Sequence, residues 1–302
     1  MSQEVSKSWI KGEKSPYQMH DITHFPDWKG LIVWDAFFNN LTSGTMLVAG
    51  LAWAAGGTLM AAFLPFALTA ALCLLVIDLG ILVADLGDPK RFVNSLRVMR
   101  FTSPLSVGVW GLTCYGIFLG LATICSWILL AIIGAYPVST YILSAILRLC
   151  AVMAIVAAVV VICYKGVVFS CSSQPGVCQA RWLPPFMVSD SLLMGMGVFI
   201  IITILVAPDS PAPLMLILPS IALLTARCTT FALLWQDLKK RARLVNSRDR
   251  NRLIGAIVYG LGGLLPLLLL FCGPFWMGLA AILFLCAGLF ERNWIIGLTR
   301  PH

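Results

Sequence analysis

Leu59–Leu86 reads LMAAFLPFALTAALCLLVIDLGILVADL, a run whose only charged side chains are Asp78 and Asp85. An α-helix rises 1.5 Å per residue, so roughly 20 apolar residues cross the hydrocarbon of a bilayer, and this run is longer than that. It closes on Gly87-Asp-Pro-Lys-Arg91, a turn signal that carries two cations. Working outward, seven more runs of the same kind appear, at about Leu31–Trp53, Leu105–Ile133, Tyr141–Phe169, Pro185–Ala207, Leu214–Trp235, Leu253–Phe271 and Pro274–Phe290. The last is short and follows the tight turn Gly273-Pro274. The runs are continuous rather than alternating, which argues against the strands of an outer-membrane barrel. Whole-chain composition agrees: 302 residues are 60% hydrophobic and 11% charged, against about 25% charged in soluble domains. The reading is an all-α transmembrane, eight-helix polytopic protein. Residues 1–30 form a polar, mixed-charge tail without the pattern of a cleaved signal peptide, and 31–302 form the membrane domain.

The net charge of +8 is distributed by side. Lys7, Lys11, Lys14 and Lys29 precede span one, and Lys90, Arg91, Arg97 and Arg100 follow span two. Lys165 and Arg181 belong to the fourth connection, seven cations from Lys239 to Arg252 to the sixth, and Arg292 and Arg300 to the tail. With eight spans all of these share one face, and the first, third, fifth and seventh connections carry no Lys or Arg. The positive-inside rule then places both termini in the cytoplasm of a prokaryotic cell, in its inner membrane. The same distribution argues against nucleic-acid binding, because the longest polar connection, Gln236–Arg252, is too short to be a basic domain.

Ionisable groups inside spans are costly and become functional candidates by default. Asp35, with Asn39 and Asn40 one turn deeper, starts span one, while Asp78 and Asp85 lie in the second half of span two. Tyr164 and Lys165 close span four, Asp190 opens span five, and Arg227 lies in the second half of span six. All fall in the half of the membrane next to the basic face. Structural roles compete with functional ones: Asp35 and Lys165 as snorkelling interfacial residues, Asn39, Asn40, Thr42 and Ser43 as helix-packing contacts beside Gly44, and Asp190 with Arg227 as an ion pair joining spans five and six. Arg148, near the opposite face, reads as an interfacial anchor. The three histidines, His20, His24 and His302, lie outside every span, which argues against a haem held between helices, and the ten cysteines include no CxxC. No redox centre of the chain's own is expected.

Two stretches go beyond composition. Asp85-Leu-Gly-Asp-Pro-Lys-Arg-Phe92 and Leu96-Arg-Val-Met-Arg-Phe-Thr-Ser-Pro-Leu-Ser-Val-Gly-Val-Trp110 resemble the signature connection of the NrfD/PsrC family, the membrane subunits of polysulfide-reductase-type complexes. Tyr164-Lys-Gly166 resembles that family's YTG, with Lys165 in place of Thr. Gly260-Leu-Gly-Gly-Leu-Leu-Pro266 and Gly288-Leu-Phe-Glu-Arg292 resemble its closing segments, while Trp34-Asp-Ala-Phe-Phe38 fits loosely. Many relatives have His where Val93-Asn94 stands here.

The resemblance implies two four-helix bundles, 31–169 carrying a quinone site and 185–290 forming the second. It implies a quinone-binding anchor, with menaquinone as the expected substrate and no haem or iron–sulfur cluster in this chain. Electrons would pass to or from an extrinsic iron–sulfur subunit serving a molybdopterin enzyme or multihaem cytochromes. The chain would then be one subunit of an oxidoreductase rather than a stand-alone enzyme. Tyr164 matches the family's headgroup tyrosine, and Asp35 and Asn39 occupy the corresponding place on span one. Asn40 and Arg91 complete the expected headgroup and rim contacts, with Asp88 beside Arg91. Asp35 and Asp85 are the expected proton acceptors, and Asp78, Lys165, Asp190 and Arg227 the expected continuation of a proton path. In many relatives the iron–sulfur partner docks outside, whereas the charge rule calls this face cytoplasmic; either the complex faces inward or the basic rim is itself a docking surface. A secondary transporter with a buried Asp/Arg site is the competing class. It predicts matched broken helices in two repeats, and no such symmetry is visible. An assembly anchor without quinone chemistry is the third.

Overall fold

The computed structural model describes residues 30–86, 99–132, 137–171, 177, 180–240 and 253–298. Arg91, Asp88 and the N-terminal tail before Gly30 lie outside the described residues. Among the described residues all regular structure is helical, in eight principal segments. They are α1 (Gly30–Ala61), α2 (Leu64–Leu86), α3 (Pro104–Ile132), α4 (Pro137–Cys171), α5 (Leu183–Val206), α6 (Ile217–Lys240), α7 (Leu253–Leu269) and α8 (Pro274–Gly297). A four-residue helical turn, Ala212–Met215, leads into α6.

The helices begin and end where the sequence supplies the chemistry. Gly57 breaks α1 at φ 59°, ψ −144°, a left-handed backbone open to glycine, and the apolar span Leu59–Asp85 runs on from there. Ser103 precedes Pro104 at the start of α3, and its hydroxyl accepts the Ser106 N–H at 3.5 Å, while the Ser106 hydroxyl accepts the Arg100 N–H at 3.0 Å. The Thr-Ser-Pro-Leu-Ser stretch is therefore a helix start, with a serine cap and proline in the first turn. Gly273, at φ 111°, turns α7 into α8.

In α7, Ala256–Leu264 is a π-helix, and α-geometry resumes at Leu265. Pro266 lacks the N–H that would bond the Gly262 carbonyl in an α-helix. Widening the turn leaves carbonyls free to serve a side chain from outside the helix, and a side chain takes them.

Among the described residues, six helical stretches are long and apolar enough to cross a membrane: Leu59–Asp85, Pro104–Ile132, Pro137–Ser170, Leu183–Val206, Ala212–Lys239 and Pro274–Gly297. The other two expected spans differ for separate reasons. α7 is a shorter apolar helix, and α1 is long but carries Asp35, Asn39, Asn40, Thr42, Ser43 and Thr45, all buried. The outer surface is rich in exposed apolar side chains such as Leu51, Leu149, Leu218 and Phe275, whereas the charged Asp78, Arg227, Glu291 and Arg292 have no accessible surface and lie within an otherwise largely apolar interior. α8 runs to Gly297 rather than ending near Phe290, because Glu291 and Arg292 are interior residues with buried partners.

α1 packs against α2, α4, α5 and α8, and α5 against α1, α4, α6 and α8, so these two helices are central. They cross backbone to backbone. A Cβ on Gly44 would lie 2.6 Å from the Ser191 carbonyl carbon, and one on Gly195 would lie 2.5 Å from the Thr45 nitrogen. Small residues permit this approach, as is common between membrane helices. From Asp35 to Gly50 every residue of α1 is buried except Phe38, which is half-buried.

Candidate functional site

Two buried polar clusters flank α1. The first lies between α1, α2 and α4. The Lys165 ammonium donates to an Asp35 carboxylate oxygen in an ion pair, and the Asn39 amide donates to Asp78 Oδ2 at 3.1 Å. Asp35 and Lys165 both stand close enough to Asp78 to interact with it electrostatically. Tyr164 is buried beside them, with the Lys165 nitrogen 5.4 Å from its ring centre. The ring rests on α3 at Gly108, where a Cβ would come within 2.6 Å of Tyr164 Cγ. Below the cluster, the Tyr115 hydroxyl donates to the Thr42 carbonyl at 3.0 Å, and the Thr42 hydroxyl donates to the Ala71 carbonyl at 2.6 Å.

Satisfaction is incomplete here. Asp35 Oδ1, Asn39 Oδ1, Asp78 Oδ1 and Ser43 Oγ are buried and have no hydrogen-bond partner among the described residues. Asp35, Asn39 and Ser43 recur every four residues, so they form one stripe of α1. Buried acceptors without donors are uncommon in native proteins, and each one calls for an explanation. Two carboxylates facing one ammonium also leave one negative charge, which a single proton would neutralise.

The second cluster lies between α5, α6, α7 and α8. Arg227 reaches Asp190 at 3.3 Å from Nε to Oδ1 and pairs with Glu291 through Nη2. Its Nη1 donates to the π-helix carbonyls of Gly262 at 2.9 Å and Val258 at 3.3 Å. Arg292 pairs with Asp190 Oδ2 at 2.8 Å and stacks over Phe186, 5.8 Å from its ring centre. Two arginines and two carboxylates balance in charge, as burial at this depth demands, although Glu291 Oε2 and Arg292 Nη1 also have no hydrogen-bond partner among the described residues. The Asn40 amide, turned so that its oxygen faces Arg292, accepts from Nε at 3.2 Å and from Nη2 at 2.8 Å.

The family model for polysulphide reductase, NrfD, matches residues 23–297. The chain belongs to the NrfD family. No curated protein matches the sequence. NrfD proteins are membrane subunits of respiratory oxidoreductase complexes and assemble there with other oxidoreductase subunits. In this NrfD chain the candidate residues sort into the two clusters. Asp35, Asn39, Asp78, Tyr164 and Lys165 meet in the first. Asn40, expected beside Asn39, points to the second, where Asp190 and Arg227 form the ion pair between α5 and α6.

Asp85 joins neither cluster. It is exposed at the last turn of α2, two turns or about 10 Å along the helix from Asp78. Lys165 and Arg292, which the charge count assigns to the basic face, are instead buried inside α4 and α8. Glu291 and Arg292 were missing from the candidates altogether, although the Gly288-Leu-Phe-Glu-Arg292 stretch contained them. The signature segment also gains a physical meaning, since Ser103 and Pro104 start α3 and Gly108 seats Tyr164. Among the described residues no three His, Cys, Asp or Glu side chains gather where they could hold a metal ion.

Proposed function

We propose that this NrfD-family chain is the quinone-reactive membrane subunit of a respiratory oxidoreductase, exchanging electrons between a quinol, with menaquinone as the expected species, and an extrinsic iron–sulfur subunit. That subunit would serve a molybdopterin enzyme or multihaem cytochromes. The reading takes all eight helices as spans, in two four-helix bundles (31–169 and 185–290), in a prokaryotic inner membrane with cytoplasmic termini. The observation that carries it is the α1–α2–α4 cluster, where two buried carboxylates face one ammonium beside a buried tyrosine in the interior of a membrane protein, whereas the second cluster balances two arginines with two carboxylates.

Quinol oxidation releases two electrons and two protons, so its site needs hydrogen-bonding partners for the ring oxygens and a carboxylate to receive protons. Tyr164 and Asn39 hold the headgroup. Asp35, already paired with Lys165, and Asp78 take the protons, and Asp85 at the exposed end of α2 passes them to the basic face. Arg91 and Asp88, which lie outside the described residues, are assigned by sequence alone either to orienting the headgroup or to docking the partner. Lys165, Asp78, Asp190 and Arg227 constitute the branch that leads further into the membrane. Substituting Tyr164→Phe and Asp35→Asn in the assembled complex tests the assignment: turnover with quinol falls by about 10²-fold or more for each, the scale of a lost acid–base group. Unchanged turnover in both variants would sink it.

A further inference from the structure

We propose that Asn40 and Arg292 are positioning residues for the α1–α2–α4 site: Arg292 grips Asn40 and thereby sets the rotation of α1 that delivers Asn39 to Asp78 and Asp35 to Lys165. This rests on the reading of that cluster as the quinone site.

Consecutive helical residues diverge by about 100°, so Asn39 and Asn40 face different neighbours from one point on the helix. Asn39 belongs to the stripe with Asp35 and Ser43; Asn40 shares a stripe with Gly44, which faces α5. The α1–α5 crossing at Gly44, Ser191 and Gly195 is backbone on backbone. Phe37 and Leu41 of α1 pack against Met194 of α5 beside it, but such apolar contacts are non-directional and fix the rotation of α1 about its axis less sharply than a hydrogen bond does. Turning α1 by about 20° would carry a side-chain tip, roughly 6 Å from the axis, by about 2 Å. That is enough to break the 3.1 Å bond from Asn39 to Asp78 and, on the same stripe, to displace Asp35 from Lys165.

The Asn40 contact is well placed to prevent this. Arg292 cannot follow a rotating α1, because Asp190 holds its guanidinium at 2.8 Å and Phe186 backs its plane. Asp190 is itself held by Arg227, which is tied to Glu291 and to two π-helix carbonyls. The second cluster is therefore a frame of four helices, two of which pack directly on α1, and its arginine hydrogen-bonds α1 at the Asn40 amide. A purely structural role would not require that amide to sit next in sequence to the residue that contacts Asp78.

The test uses the purified full-length chain and its assembled complex. The infrared carboxyl stretch of Asp78 is assigned by its loss in Asp78→Asn. The groups facing Asp78 are Asp35 and Asn39 from α1, Lys165 and Tyr164 from α4, and Tyr115 from α3, so movement of the α1 pair registers in this band. Asn40→Leu is expected to move the Asp78 band and raise KM for quinol about tenfold, the scale of one misplaced buried hydrogen bond, and to lower the unfolding temperature because the buried Arg292 loses an acceptor. Asn40→Asp keeps an acceptor for Arg292 and is expected to restore the band and KM. If Asn40→Leu does not assemble, Asn40→Ser, too short to reach Arg292, is read in the same way. A folded variant whose Asp78 band stays at the wild-type position overturns the proposal. Absence of quinol turnover in the wild-type complex would refute the quinone reading instead, and the infrared band alone would then decide whether Asn40 positions the cluster.

Discussion

Gly108→Ala isolates the seat of Tyr164 with a single methyl group. The added Cβ would lie 2.6 Å from Tyr164 Cγ and closer to two other ring carbons, whereas carbon–carbon contact is comfortable at about 3.5–4.0 Å. The ring must therefore retreat by roughly 1 Å, or α3 must move away from α4. Overpacking of this kind costs about 1–3 kcal/mol, and replacing glycine within a helix returns about 1 kcal/mol of helix propensity. The net stability change is then only about 0–2 kcal/mol, so the unfolding temperature is a weak reporter. Turnover is a strong one, because a 1 Å misplacement near the chemistry can cost about 10²-fold. The expected result is a complex that assembles normally, unfolds within a few degrees of wild type and oxidises quinol ten- to a hundred-fold more slowly, by order of magnitude. Gly116→Ala is the control, since its Cβ would meet Leu75 at an ordinary 3.5 Å. If Gly108 acts through the Tyr164 hydroxyl, the double variant Gly108→Ala/Tyr164→Phe is little slower than Tyr164→Phe alone. Gly108→Ala turning over within twofold of wild type would refute the argument that this glycine seats a reacting tyrosine.

Other perturbations test the rest of the architecture. Arg227→Met strands Asp190 and Glu291 without their shared cation and is expected to cost about 3–5 kcal/mol in thermal or denaturant unfolding, with Arg227→Met/Glu291→Leu losing less than the two single changes added together. Gly262→Ala would place a Cβ 2.8 Å from that of Ala287 and 3.0 Å from Arg227 Nη2, so it should lower the unfolding midpoint, while Gly260→Ala, with nothing within 4 Å, should not. Ser103→Ala removes the cap of α3 and is expected to cost about 0.5–2 kcal/mol, read by the same measurement. In oriented vesicles, protease should reach the connection 236–252 from the cytoplasmic side; cleavage from the opposite side alone would reverse the assigned orientation.

The apolar runs located the helices well because membrane-crossing helices are specified by long stretches of one residue class, and Leu59–Leu86 differs by one residue from the apolar helical stretch Leu59–Asp85. Interior charges were legible only when an apolar sequence surrounded them. Asp190 and Arg227 stand out in this way, whereas Glu291 and Arg292 follow the run Pro274–Phe290 directly and read as the start of a polar tail. Their burial depends on partners from α5, α6 and α1, which no local pattern reveals. The π-helix was also hidden, although three glycines and Pro266 within seven residues offered a usable signal of irregular backbone. The divergence of Asn39 from Asn40 follows from helical geometry alone, yet the side facing Asp78 could be assigned only after α2 and α5 had been placed.

These differences share a cause in the position of α1. A helix that faces lipid must be apolar on that side, but α1 is enclosed by α2, α4, α5 and α8 and meets almost no lipid between Asp35 and Gly50. The hydrophobicity requirement on it is correspondingly relaxed, so one stripe can carry Asp35, Asn39 and Ser43 while the next carries Asn40 and Gly44. Partners on the surrounding helices meet the cost of those polar groups: Lys165 and Asp78 on one side, Arg292 on the other. The helix with the most buried polar residues is therefore one of the two central ones, and its polarity is a sign of centrality. Hydropathy ranks α1 low for the same reason that chemistry points to it: the residues that weaken its membrane-span signal form both of its buried polar contacts.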